Sequence, residues 1–245
     1  MENDTGMTDI LIEYNANGVQ VFAEDCPGAF ARGETVEKAI EKLPRAIGEY
    51  RAWTGQGTAA QTSELHPVFQ YKSTAAVEEA ETNMLFPSER VPMDMAEYTR
   101  KKALVLRSAK DVMTLFASIP QKDRALVKSR KCFYGRIPQT SREMLHHIHD
   151  VLPYYASCIG ITYEPAKDLV EDRMRFFAAL ESIPKFLDAT LFTAPDGELW
   201  TRKKVLRRIL WHDRIHARAM YRRAITFWQK DRIANPFRFS EKERK

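Results

Sequence analysis

Two histidines, His212 and His216, stand four residues apart in a stretch with helical periodicity. Residues at i and i+4 lie one above the other on a helix face. Two imidazoles placed in this way can hold one divalent metal ion. Val205, Ile209, Ala219 and Met220 share that face, so both rings are expected to point into the protein. Asp213 sits at the edge of the face, where it is placed to accept an imidazole N–H. A lone buried histidine is more often a hydrogen-bonded core residue than a ligand. Two on one inward face shift the balance toward ligation.

A third ligand has to come from another helix. The stretch Leu145-His146-His147-Ile148-His149 offers three histidines, and His66 stands apart from all of them. With Met144, Ile148, Val151 and Tyr155 defining the inward side, His146 points nearly opposite. His147 borders the apolar stripe and His149 lies further round on the other side. The periodicity thus removes His146 and leans to His147, leaving His149 open. Cys158 falls on nearly the side of His147 but three turns along, too far to share an ion with it.

The elements that must position these residues fall into two groups, an α+β organisation. Ile10, Ile12 and Tyr14 alternate with polar neighbours, and Asn17-Gly18 marks a hairpin turn before a return strand, Val19 to Ala23. Ala29 to Ala31 reads as a third short strand. A helix follows, capped by Thr35, with Val36, Ala39, Ile40, Leu43, Ile47 and Tyr50 at helical spacing. Pro44 should kink or interrupt it. Residues 54–66 read as a loop, and Val68 to Tyr71 and Met84 to Phe86 as further short strands. Pro87 and Pro92 mark a boundary, so residues 1–90 form one domain and 91–230 a second. Residues 231–245 then form a basic tail.

The second domain reads as four helices. They cover residues 94–118, residues 140–158 with Thr140 or Ser141 as cap, residues 165–183, and a long helix from Thr201 to about Trp228. Such lengths predict an up-and-down bundle with one or two longer connections. Phe176, Phe177, Phe186, Phe192 and Trp200 are expected in its core, the alternative being that they line a substrate pocket.

Composition narrows the functional classes. Of the 245 residues, 44% are hydrophobic and 29% charged, ordinary values for a globular chain with a sizeable core. Cys26, Cys132 and Cys158 form no Cys-x-x-Cys pair, which argues against a disulfide framework or a cysteine zinc site. The polar start, Met1 to Gly6, is not a signal peptide, and no apolar run is long enough to span a bilayer. A cytoplasmic setting is expected. The net charge of +5 is concentrated on the last helix, where Arg202, Lys203, Lys204, Arg207, Arg208, Arg214, Arg218, Arg222 and Arg223 crowd together. The plain expectation is a solvated outer face, and the alternative is attraction for an anionic cofactor. Nucleic acid is not expected, since only Trp211 and Tyr221 interleave with these charges.

Two segments resemble known families. Residues 93–225 resemble the DinB-like (DinB/YfiT) superfamily through two motifs. One is Ser141-Arg142-Glu143-Met144-Leu145-His146-His147-Ile148-His149-Asp150-Val151. The other runs from Trp200-Thr201 through Leu210-Trp211-His212-Asp213-Arg214-Ile215-His216. The resemblance implies a four-helix bundle holding zinc or nickel on His147, His212 and His216, with an open coordination position. It also implies a glutamate a turn after the first histidine, where this chain has Leu152. Residues 8–53 resemble a HicB-like domain, a small α/β unit related to a partial RNase H fold. The matching residues are Ile10 to Ala16, Val19 to Ala23, Pro27-Gly28 and Gly33-Glu34-Thr35 with the helix after them.

What the resemblance implies about activity is a metal-dependent transferase or hydrolase acting on a small molecule, with a low-molecular-weight thiol as partner. A metal lowers the pKa of bound water to about 7 or polarises a substrate oxygen. The alternative expectation is a non-catalytic regulatory protein, in which the HicB-like half binds a protein partner and the metal braces the bundle. Homodimerisation through helix faces is expected from the class of fold.

Overall fold

The computed structural model describes residues 7–57 and 64–241. The expectations for Met1 to Gly6, for residues 58–63 of the loop and for residues 242–245 of the tail lie outside them. The architecture is mixed α+β, and the described residues divide into two compact units, 7–86 and 87–241.

In the first unit, strands β1 (Met7–Tyr14), β2 (Val19–Ala23) and β3 (Phe30–Gly33) precede helix α1 (Val36–Thr54) and strand β4 (Glu64–Lys72). The sheet order is β3-β2-β1-β4, antiparallel except for the β1–β4 pair, which is parallel. That parallel pair requires a long crossover, and β2, β3 and α1 lie within it. The β1–β2 hairpin forms where Asn17-Gly18 predicts it, but for a different reason. Neither residue has a positive φ. Instead the Asn15 side chain closes the turn, its Oδ1 accepting from the N–H of Asn17 at 2.7 Å and of Gly18 at 2.9 Å.

Two other expectations change. Helix α1 runs through Pro44 without interruption. Met84, Leu85 and Phe86 form no strand, although all three are buried. Their apolarity reflects burial of irregular chain and carries no period-2 alternation. Gly33 is required where β3 turns into α1, because a Cβ there would lie 2.6 Å from the Ala39 nitrogen and 2.7 Å from the Thr35 oxygen.

The second unit contains helices α2 (Met95–Ser118), α3 (Ser141–Ser157), α4 (Leu169–Glu181) and α5 (Arg202–Phe227). Two small hairpins accompany them, β5 (Lys131–Cys132) with β6 (Gly135–Arg136), and β7 (Phe192–Thr193) with β8 (Leu199–Trp200). Helix α2 packs against α5 and α4, and α3 packs against α5. Caps fix where the helices begin. Asp94 caps α2, Asp168 caps α4 four residues later than the periodicity predicts, and Thr201 caps α5. Thr140 and Glu143 form a reciprocal capping box on α3. Thr140 Oγ1 accepts from the Glu143 N–H at 3.1 Å, and the Thr140 N–H donates to Glu143 Oε2 at 3.0 Å. Thr140→Ala should therefore lower stability by about 1 kcal/mol, read as a shift in urea midpoint with unchanged slope.

The sequence places a solvated basic face on α5, and here the structure differs most. Residues 201–214 are buried without a break. Charged side chains tolerate burial only when paired, and pairing is what is found. Arg207 holds Glu89 in a two-pronged contact at 2.5 and 3.0 Å, Lys203 meets Glu97 at 3.1 Å, and Lys204 meets Glu198 at 2.8 Å. The Glu89 contact also explains why residues 87–90 belong to the second unit and not, as expected, to the first. The tail expected from residue 231 is likewise part of that unit as far as residue 241. Ile233, Phe237 and Phe239 are buried, and the Arg214 guanidinium lies 5.8 Å from the Phe237 ring and 5.3 Å from that of Phe239. One residue assigned inward, Val151, is only partly buried.

Candidate metal centre

The i, i+4 spacing on α5 and the capped start of α3 bring three histidines together. His212 and His216 lie one turn apart on α5, and His147 faces them from α3. Ring centroids are 4.9 Å apart for His147 and His212, 4.7 Å for His147 and His216, and 4.5 Å for His212 and His216. One nitrogen of each ring lies within 4.8 Å of the others. A tetrahedral ion with bonds of about 2.0–2.1 Å holds its nitrogens about 3.4 Å apart. Small side-chain rotations therefore suffice to bring the trio to bonding distance.

The electrostatic setting favours neutral imidazoles. Burial pushes His212 well below its ordinary pKa, and the neighbouring His216 and His147 push it the same way. His216 falls to about 3, chiefly through burial and then through His147. Burial also lowers His147, against the opposing charge of Asp150. All three are thus neutral imidazoles at pH 7, the form that binds metal. His212 Nδ1 is buried with no hydrogen-bond partner, an arrangement that a bound ion would relieve.

These shifts carry a stability consequence in the metal-free protein. Below about pH 6.5 the unfolded chain takes protons on His212 and His216 that the folded chain refuses. Stability should therefore fall as the pH drops from about 6.5 toward 3. Urea midpoints of metal-free protein between pH 7 and pH 5 should show this decline, and His212→Ala with His216→Ala should flatten it.

The remaining histidines are placed elsewhere. His146 is exposed. His149 donates from Nε2 to the Ala166 carbonyl oxygen at 2.6 Å, and with His146 it lines an open cavity of about 450 Å³ whose walls exclude His147. Of the two histidines that periodicity leaves open, His147 is the one that lies beside the α5 pair. His66, on β4, contacts Asp9. Cys158, the residue that follows α3, is buried and is not part of the trio.

Asp213 does not take the expected role of accepting from a ligating imidazole. Its Oδ1 accepts from Arg173 Nη2 at 3.1 Å, and its Oδ2 accepts from Ser108 Oγ at 2.8 Å. Arg173 Nη2 also donates to the Ile148 carbonyl oxygen at 3.4 Å. This one cluster joins α2, α3, α4 and α5 beside His212. Burial raises the Asp213 pKa, against the pull of Arg173 and Ser108. Leu152, where the resemblance implies a glutamate, is fully buried.

Two features escape sequence reading. Tyr134, at the tip of the β5–β6 hairpin, stacks on His147 at 4.9 Å with 22° between ring planes. Phe133 meets Tyr134 edge-on, and both rings are exposed. Two-residue strands are too short to leave a periodic signal, and only the adjacent aromatics could have drawn notice. The Asp213–Arg173 pair spans 40 residues of sequence and has no local signature.

Among the described residues, no helix is long and apolar enough to cross a membrane. Comparison of the chain with models of known protein families, with curated proteins and with solved structures finds no match.

Proposed function

We propose that the second unit is a DinB-like four-helix bundle whose His147, His212 and His216 hold one divalent ion, zinc or nickel. On this reading the protein is a metal-dependent transferase or hydrolase of a small molecule, a low-molecular-weight thiol being one class of partner, in a cytoplasmic setting. The observation that carries the reading is the trio itself, three neutral imidazoles from two helices with donor nitrogens within 4.8 Å. Three neutral ligands leave a coordination position for water or substrate. When bound, the ion would act as a Lewis acid on that ligand. The chain's own part is to fix the rings through α3 and α5 and to keep them deprotonated by burial.

A second reading is favoured by Leu152. With no carboxylate at that position to move a proton, the ion could serve only to brace α3 against α5. The first unit, read as HicB-like from its β1-β2-β3-α1-β4 order, would then supply the function by binding a protein partner. Cobalt(II) substitution separates the two readings. Visible bands of a four- or five-coordinate cobalt site that shift when acetohydroxamate is added support the open, catalytic centre. Bands that stay fixed at saturating acetohydroxamate favour the structural ion.

A further inference from the structure

Strand β4 stands at one end of the first unit's sheet and pairs with β1 on one side only. It is the longest strand among the described residues, nine residues from Glu64 to Lys72, and none of the nine is buried. Its neighbours in the sheet are different. Strand β2 is buried at every position, and Ile10, Leu11 and Ile12 of β1 are almost wholly inaccessible. Helix α1 packs chiefly on β3 and β2, away from β4. Strand β4 therefore carries apolar side chains that nothing fully covers. Val68 is 42% exposed, and Leu65, Phe69 and Tyr71 are each part-exposed.

The outer edge of β4 also presents backbone groups. The Ser73 N–H donates to the Tyr14 carbonyl oxygen at 2.8 Å, which turns that residue toward β1. Successive residues of a strand direct their backbone groups to alternate sides, so Tyr71 faces β1 while Gln70 and Lys72 face outward. Among the described residues, no strand pairs with that outer side. A long edge of this kind is a template for another strand, and proteins commonly blunt it with proline or charge. Here Pro67 removes one donor, and the two charged residues, Glu64 and Lys72, lie at opposite ends.

That order of charges selects the partner. A strand that pairs with its own copy about a two-fold axis runs antiparallel to it. The end carrying Glu64 then adjoins the end carrying Lys72 of the other copy, and the symmetry makes this contact twice. Opposite charges on adjacent strands attract and like charges repel. Self-pairing is thus favoured in the direction that a two-fold axis imposes.

We propose that β4 is the contact edge of a homodimer, in which two copies pair antiparallel with the two-fold axis near Val68. The two four-stranded sheets would join into one continuous sheet, and the exposed side chains of the two β4 strands would cover one another. This contact is independent of the histidine cluster and needs no metal. One nine-residue strand from each copy makes a small interface, so the dimer is weak and depends on concentration.

The test is sedimentation velocity of the full chain from about 1 to 300 μM, a range that brackets micromolar dissociation constants. Reversible conversion of monomer to dimer is expected. Gln70→Pro removes an outward N–H and leaves the ladder with β1 intact, so it should raise the dimer Kd about tenfold or more. Glu64→Lys should raise it about fivefold, because two opposite-charge contacts become like-charge ones. Adding Lys72→Glu to that variant reverses both ends and should return Kd to within about twofold of the wild type. Both charged positions are exposed, so these variants should keep the wild-type circular dichroism spectrum. A chain that stays monomeric at every concentration would overturn the proposal. A dimer whose Kd is unchanged in Gln70→Pro and Glu64→Lys would also overturn it and place the contact elsewhere. A double reversal that restores nothing would overturn the antiparallel pairing. The charge reversals decide the matter even if Gln70→Pro fails to fold.

Discussion

Asp213→Ala should destabilise the protein by about 3–5 kcal/mol, the usual loss when one member of a buried ion pair is removed. Asp213 and Arg173 are both fully buried, so solvent screens neither charge. Removing the carboxylate strands the Arg173 guanidinium, whose Nε and Nη1 already have no hydrogen-bond partner. It also takes the acceptor from Ser108 and so loosens the junction of all four helices. The double replacement Arg173→Met with Asp213→Leu should behave quite differently. Exchanging a whole buried pair for apolar side chains is often neutral or stabilising. The double variant should therefore recover most of the loss, as measured by urea unfolding of metal-free protein. A double variant as unstable as Asp213→Ala would mean that packing, and not charge, dominates at this junction.

The second large effect concerns the metal. An ion that binds only the folded chain stabilises it by about 2.7 kcal/mol at a free concentration of 100 times Kd, and by about 4.1 kcal/mol at 1,000 times Kd. Zinc or nickel should raise the thermal midpoint of the wild-type protein accordingly, and a chelator should reverse the rise. His212→Ala with His216→Ala should abolish the response, because one remaining imidazole cannot hold the ion. His147→Ala should weaken it less, since two neighbouring ligands remain on α5. The buried His212 Nδ1, which lacks a partner in the ligand-free chain, is the group whose cost the ion removes.

Local signals in the sequence carry far into this fold, and long-range ones do not. The His212 and His216 pair is legible because i, i+4 spacing needs nothing beyond its own helix. The starts of α2, α3 and α5 are legible for the same reason, since Asp94, Thr140 with Glu143, and Thr201 act within one turn. The setting of α5 is not. Its basic residues look solvated until Glu89 is found beside Arg207, 118 positions away in the chain. No periodicity in α5 announces such a partner. Phe237 and Phe239 similarly read as part of a tail, because what buries them lies on α5. At the β1–β2 turn, Asn17-Gly18 gives the right location and the wrong cause, since the side chain that closes it belongs to Asn15. Tyr134 reaches His147 from a hairpin too short to detect, so this contact leaves no trace in the sequence although the histidine pair on α5 does.

The most direct test is elemental analysis of the full chain, purified without a histidine tag, for the wild-type protein and the His212→Ala, His216→Ala variant. About one zinc or nickel per chain is expected in the wild type, directly or after incubation with the metal, and essentially none in the variant. No metal in either protein after incubation with zinc, nickel or manganese would contradict it. The trio would then be three buried polar side chains, and the first unit would become the place to look for function.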